Sequence, residues 1–367
     1  MFVHTALAVC AVASALLASS CGKFFPGGSS SSSSNSGTGA SSEVVFVANS
    51  GSQNVSAFNV NTSTGALTAV SASPFSTAAA PGVLAIDPQN KFLFVGMNNA
   101  GIEVFSIASS GALTQIASGG SAASGTAPLA LAVTPNSSLL YVLDKLSSTI
   151  SAFTISSTGA LSAAKGTALP QGTTPQQGLA IDSTGTHVYA PLGTAGVFVG
   201  TINSDGSLTN TNTIAGPAST SLQQLAIAPS GAFLYALDPT NGVAAYSVAG
   251  GALTLLNGGK TFTAGSSSAA IAVDPSSKIV VVANSAGNSL SSFTINSDGT
   301  LTPVSGSPFA TGGSPVSLAF DKSGKFLYAG GSSGVTVFAL DASVPGKLNQ
   351  NSSSGAGTNP VSVAATH

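Results

Sequence analysis

The sequence predicts an all-β fold: a seven-bladed β-propeller of four-stranded antiparallel blades, with the first blade closed by the C-terminal strand. Three observations lead there. A phrase of apolar alternation around a tight turn recurs at Leu84 to Val95, Ile271 to Val282 and Leu318 to Ala329, with weaker copies beginning at Leu131, Leu179 and Leu225. The residues just before the copies are Pro81, Pro128, Pro175, Ser221, Ser268, Pro315 and Pro360; they stand 47, 47, 46, 47, 47 and 45 residues apart, a period that with strand-like content marks propeller blades. The chain also ends with the piece that its first copy lacks. That copy opens at Glu43 directly on the second-strand phrase Val44 to Asn49, while Pro360 to His367 matches Pro315 to Lys322 and then stops.

Ahead of the ring, residues 1–20 are expected to be a signal peptide, because Thr5 to Ala18 is an apolar run too short to span a bilayer. Leu16 to Gly22 resembles a bacterial lipobox, so Cys21 is expected to be lipidated and to become the first mature residue. Ala18 stands where an aliphatic residue is usual, and no Lys or Arg precedes the apolar run. Cys10 would leave with the signal, so no disulfide is expected in the mature chain. Residues 21–42 are read as the anchor and a Ser/Gly-rich tether, and residues 43–367 as the propeller. Gly22 in place of Asp favours an exported, lipid-anchored protein at the outer membrane or cell surface.

Each repeat divides into four short apolar or alternating runs separated by turn residues. In the second unit these are Val83 to Asp87, Lys91 to Met97, Gly101 to Ile107 and Leu113 to Ile116. They are joined by turn-forming segments such as Asp87 to Asn90 and Ser109 to Ala112. Such a meander cannot bury both faces alone, so the units are expected to stack radially around a channel.

Only 5% of residues are charged, against about 25% in an average domain. The surface must therefore be covered by Ser, Thr, Asn, Gln and Gly. A net charge of −2 excludes nucleic acid as an expected partner, since phosphate backbones are held by clustered cations. All nine basic residues are Lys, and Trp is absent.

The blade phrases, together with Ser151 to Ile155, Gly65 to Thr68, Ser73 to Phe75 and Ser307 to Phe309, resemble the lactonase family of seven-bladed propellers and related surface proteins with YVTN-type repeats. The resemblance covers Glu43 to His367. It implies the propeller fold. For members that act on lactones, 6-phosphogluconolactonases among them, it also implies Arg, His and Glu side chains at one mouth of the channel. This chain has no Arg; Glu occurs only at Glu43 and Glu103, and His in the mature chain only at His187 and His367. His187 takes the place of Phe92 and Phe326 in its repeat and reads as a packed or rim side chain. His367 is expected to fray, and neither has an evident carboxylate partner nearby in sequence. No nucleophile elbow or Ser-His-Asp set can be placed.

Asp87, Asp182, Asp274 and Asp321 recur at the first-to-second strand turn, and Asp205, Asp298 and Asp341 near the third-to-fourth, which marks them as caps of local amides. One carboxylate per turn falls short of a calcium site. Asp144 and Asp238 escape that explanation and sit in second-to-third strand loops, on the face that also carries Lys145. The pairs Gln176-Gln177 and Gln223-Gln224 start the inner strands of neighbouring blades. The ligand-binding candidates are therefore Asp144, Lys145, Gln177, Gln224 and Asp238, with no catalytic residue, no metal and no cofactor expected. The expected partners are a neutral polar small molecule, glycan or protein at the channel mouth, and a membrane through the anchor. The leading expectation is a surface-tethered, non-catalytic binding or scaffolding module; the alternative is a lactone hydrolase with a non-standard site.

Overall fold

The computed structural model describes residues 43–116 and 127–367; the expected signal, Cys21 and the tether lie outside the described residues. Seven antiparallel sheets follow one another, each running from an inner strand at the channel to an outer one. Blade 2 is Pro81–Ile86, Phe92–Met97, Gly101–Ile107 and Leu113–Gln115. Blade 3 is Pro128–Val133, Leu139–Asp144, Thr149–Ile155 and Leu161–Ala163. Blade 4 is Ala180–Ile181, His187–Pro191, Val197–Ile202 and Leu208–Ile214. Blades 5, 6 and 7 begin on Gln224–Ile227, Ser268–Val273 and Pro315–Phe320. Blade 1 combines Val44–Asn49, Asn54–Val60 and Leu67–Ala69 with the C-terminal strand Pro360–Ala365 on the channel side. The pairing runs Val45 to Ala365, Phe46 to Ala364 and Val47 to Val363, so the two ends of the propeller close the ring as the repeat predicts.

The core lies between blades. Phe46, Val55, Leu93 and Phe105 pack across blades 1 and 2, Phe94, Val104, Leu140 and Phe153 across 2 and 3, and equivalent clusters fill every later interface through Tyr328, Val337 and Val363 across 7 and 1. The second strand is buried on both faces, which is why it reads as a continuous apolar run rather than a strict alternation.

The third-to-fourth strand turns lock into these interfaces. Gly65, Gly111, Gly159, Gly206, Gly251, Gly299 and Gly346 all have φ between +70° and +85°. A Cβ at Gly159, Gly251 or Gly299 would come within 2.6 Å of the Phe92, His187 or Phe233 ring at the start of the preceding blade's second strand. Glycine is required here twice over, by the left-handed backbone and by the ring that occupies its missing side chain. Tyr141 Oη donates to Gly206 O at 2.9 Å and Tyr235 Oη to Gly299 O at 3.1 Å, tying blade 3 to 4 and 5 to 6.

Two features were not read from the sequence. Phe75–Ser76, Thr167–Ala168 and Phe309–Ala310 add a short strand to the third strand of blades 1, 3 and 6. The inner strand of blade 4 is cut to two residues because Gly178 N turns back to Gln176 O at 2.9 Å instead of entering the ladder. Gly178 lies so close to Gln224 and Leu225 of blade 5 that a Cβ would meet Leu225 N at 3.0 Å.

Candidate functional site

The inner strands start on one face of the disc, where they surround a cavity of about 800 Å³. A β-bulge at the start of the inner strand in blades 1, 2, 3, 6 and 7 leaves small or apolar residues such as Gly82 and Val316 facing the opening. Blades 4 and 5 differ: there the lining residues are Gln177 and Gln224. Neither side-chain amide bonds to any other described residue; Gln177 is exposed and Gln224 half-buried at the mouth. Asn98 lines the wall from blade 2. The serines are occupied structurally: Ser362 Oγ accepts Leu84 N at 3.2 Å, and Ser317 Oγ accepts Val363 N at 2.9 Å, stitching neighbouring inner strands together. Among the described residues no Asp, Glu, His or Lys lines this mouth. The arrangement can hold a neutral molecule rich in hydroxyl and carbonyl groups, with two free amides on one side as paired donors and acceptors.

Of the five candidates, Gln177 and Gln224 come together in the cavity, and Asp144, Lys145 and Asp238 do not line it. The capping explanation extends to the two aspartates after all. Asp144 is fully buried, and its Oδ1 accepts Leu146 N at 3.0 Å, Ser147 N at 2.8 Å and Ser147 Oγ at 2.9 Å. Asp238 accepts Thr240 N and Asn241 N at 2.8 and 2.7 Å through Oδ1, and Ser221 N at 2.5 Å through Oδ2. Burial pushes the Asp238 carboxyl up, but these amides outweigh it and hold it below the usual carboxylate range. Both occupy the end of the second strand, where blades 1 and 6 carry Asn49 and Asn284, also buried and hydrogen-bonded. Lys145 is exposed and forms no ion pair among the described residues.

His187 does have a carboxylate partner, with Nδ1 2.8 Å from Asp182 Oδ2, and its ring fills the space left by Gly251. It is a packed side chain at a blade interface. His367 is held, not frayed: its N donates to Asn90 Oδ1 at 2.9 Å and its O accepts from Asn90 Nδ2 at 2.8 Å.

Residues 44–365 match the family model described as lactonase, seven-bladed β-propeller. No curated protein matches the chain significantly. Among solved structures, a candidate 6-phosphogluconolactonase of Bacteroides fragilis superposes with a TM-score of 0.76 at 20% identity, covering 90% of this chain and 99% of that one. The periplasmic gluconolactonase of Pseudomonas aeruginosa does so at 0.73 and 18% identity over 89% and 99%. A protein of Lactobacillus plantarum gives 0.76 at 20% identity over 89% and 99%.

Proposed function

The chain belongs to the lactonase family of seven-bladed β-propellers, and from that premise we propose that it opens neutral sugar lactones at the channel mouth. The observation that carries this reading is the pairing of family membership with a mouth that presents free amides and, among the described residues, no charged side chain. The lactone carbonyl lies against the Gln177 and Gln224 amides, whose N–H groups donate to the oxyanion that forms as hydroxide adds; its collapse breaks the ring C–O bond, and the departing ring oxygen takes its proton from water. A single donor of that kind contributes about 10²- to 10³-fold in rate. Asn98 and backbone groups of the wall hold the ring hydroxyls. A phosphorylated lactone is disfavoured because nothing at the mouth offers its phosphate the cation it would lose from solvent. With no titratable side chain lining the mouth among the described residues, the rate follows hydroxide concentration and does not trace a bell-shaped profile.

The lack of a general base favours a second reading, in which the lactone or a related sugar binds without turnover. One experiment separates them. Glucono-δ-lactone is mixed with the protein and its loss followed against the spontaneous reaction, in the wild type and in a Gln177→Ala/Gln224→Ala double variant. Acceleration that disappears in the variant supports hydrolysis. Saturable binding with no acceleration supports the binding module, and neither effect overturns both.

An exported, lipid-anchored address through Cys21 belongs to the same proposal and rests on the lipobox-like stretch. Cys21→Ala should move the protein from the membrane fraction to the soluble one. A wild type already soluble after cell breakage would refute the anchor.

A further inference from the structure

On the face opposite the channel mouth the ring has a gap in its girdle of turns. In six blades a four-residue turn joins the inner and second strands, closed by bonds such as Asn90 N to Asp87 O, Gly185 N to Asp182 O and Gly324 N to Asp321 O. Neighbouring turns touch: Ser137 Oγ donates to Asp87 Oδ2 at 3.2 Å, and Ser230 N to Ser277 Oγ at 2.9 Å. Blade 1 has no such turn, because its inner strand comes from the far end of the chain. Thr366 Oγ1 takes over the capping task of the missing Asp by accepting Val44 N at 2.9 Å. The turn's volume is left as a cavity of about 830 Å³ between blades 7 and 2.

That notch is chemically unlike the channel mouth. Lys322 and Lys325 line it and form no ion pair among the described residues, and the Gln89 side chain lines it without a hydrogen-bond partner among them. Glu43 stands at the position where blades 2, 6 and 7 carry Lys91, Lys278 and Lys325, and its Oε1 is buried with no partner among the described residues. Asp321 is not a free counter-ion, since its oxygens take Phe326 N at 2.7 Å and Ser323 N at 3.2 Å. Two ammonium groups, an idle amide and the carboxyl of Glu43 thus line one half-open cleft. We propose that this notch is a second binding site, for a small polyol anion such as a sugar acid or sugar phosphate. The anionic head sits between Lys322 and Lys325, and the hydroxyls meet Gln89, Ser63 and the edge of the cleft at Glu43.

The ligand would touch blades 7, 1 and 2 together and so favour the closed ring. It would also bind less well in alkaline solution. Burial, then Asp321, raises the Glu43 carboxyl to about 7, while the Tyr328 hydroxyl and then the Lys322 amide and charge act in the opposite sense; Lys325 and His367 complete its titratable surroundings. Above that value a second carboxylate, beside Asp321, would face the anion.

The test is calorimetric titration of the full chain with gluconate and with glucose 6-phosphate, each at pH 6 and pH 8. Binding should be at least tenfold weaker in Lys322→Gln/Lys325→Gln and unchanged in Gln177→Ala/Gln224→Ala, which keeps the notch separate from the channel mouth. For gluconate, whose charge is constant over this range, wild-type affinity should fall severalfold from pH 6 to pH 8, and Glu43→Gln should remove that fall. The relative affinity of the two probes tells carboxylate from phosphate. No heat from either probe, or binding untouched by loss of both lysines, overturns the proposal.

Discussion

At the scale of single residues, the polar groups that look most chemical in the sequence are mostly committed to backbone. Asp238 accepts three main-chain amides from two segments, so Asp238→Ala should cost roughly 2–4 kcal/mol by leaving those donors unpaired. Urea unfolding should show that loss, while binding at the channel mouth stays at the wild-type level once the variant is folded; a folded variant of normal stability without ligand binding would return Asp238 to the site. Glu43 behaves in the opposite way. Its ordinary value of 4.5 is raised to about 7 in the fold by burial first and Asp321 second, so the folded state holds a proton that the unfolded chain releases. The associated stability is complete below pH 4.5 and drains away as pH rises to about 7. A shift of this size corresponds to about 3 kcal/mol undiluted, and partial solvent contact brings the expected effect to about 1–2 kcal/mol. Glu43→Gln should flatten the stability profile between those pH values. An unchanged slope would mean that the carboxyl titrates as it does in the unfolded chain.

At the scale of the element, the blade is specified by positions whose meaning lies in the next blade. The glycine of the third-to-fourth turn is visible in the sequence as a turn residue, but its second duty, receiving an aromatic ring from the preceding blade, is not. Gly299→Ala combines a φ of +83° with a Cβ 2.3 Å from the Phe233 ring. Left-handed strain of about 1–2 kcal/mol and overpacking of about 1–3 kcal/mol should add. Gly312→Ala, at φ +72° with nothing within 4 Å, carries the strain alone. Chemical denaturation of the two variants should therefore differ by the packing contribution, and equal losses would show that the ring simply moves aside. The same distinction explains what was legible. Apolar runs and turns repeat locally, so the strand boundaries of blade 2 could be read to within one or two residues. Gln177 and Gln224 stood out because they break the repeat. The role of Asp238 stayed hidden because one of its donors, Ser221, lies 17 residues away in the connection between blades. Aligning the end of the second strand across blades would have revealed it, since Asn49 and Asn284 stand in that column with Asp144. The partner of His187 was in plain sight five residues earlier, but its meaning depends on the turn that folds Asp182 back onto the ring.

At the scale of the whole molecule, the ring has one covalent discontinuity, and both its stability and its opposite-face notch follow from where that break falls. Cutting blade 1 between its inner and second strands leaves closure to a non-covalent ladder, Val45 to Asn49 against Pro360 to Ala365, with Val44 and Thr366 exchanging two hydrogen bonds at its end. Val363 packs into the interface of blades 7 and 1, and Val361 and Ala364 into that of blades 1 and 2. Removing residues 360–367 would thus strip a buried strand, open two hydrophobic interfaces and orphan the inner edge of Val44–Asn49. The sum is several kcal/mol, comparable with the roughly 5–15 kcal/mol that holds a native domain. The truncated chain should aggregate or melt far below the full-length protein. A synthetic peptide of residues 358–367, supplied in excess, should restore the melting temperature in a concentration-dependent way, because the vacated edge binds it as it binds the native strand. A truncated chain that melts like the intact protein, indifferent to the peptide, would mean that six blades hold the ring without the seventh being closed.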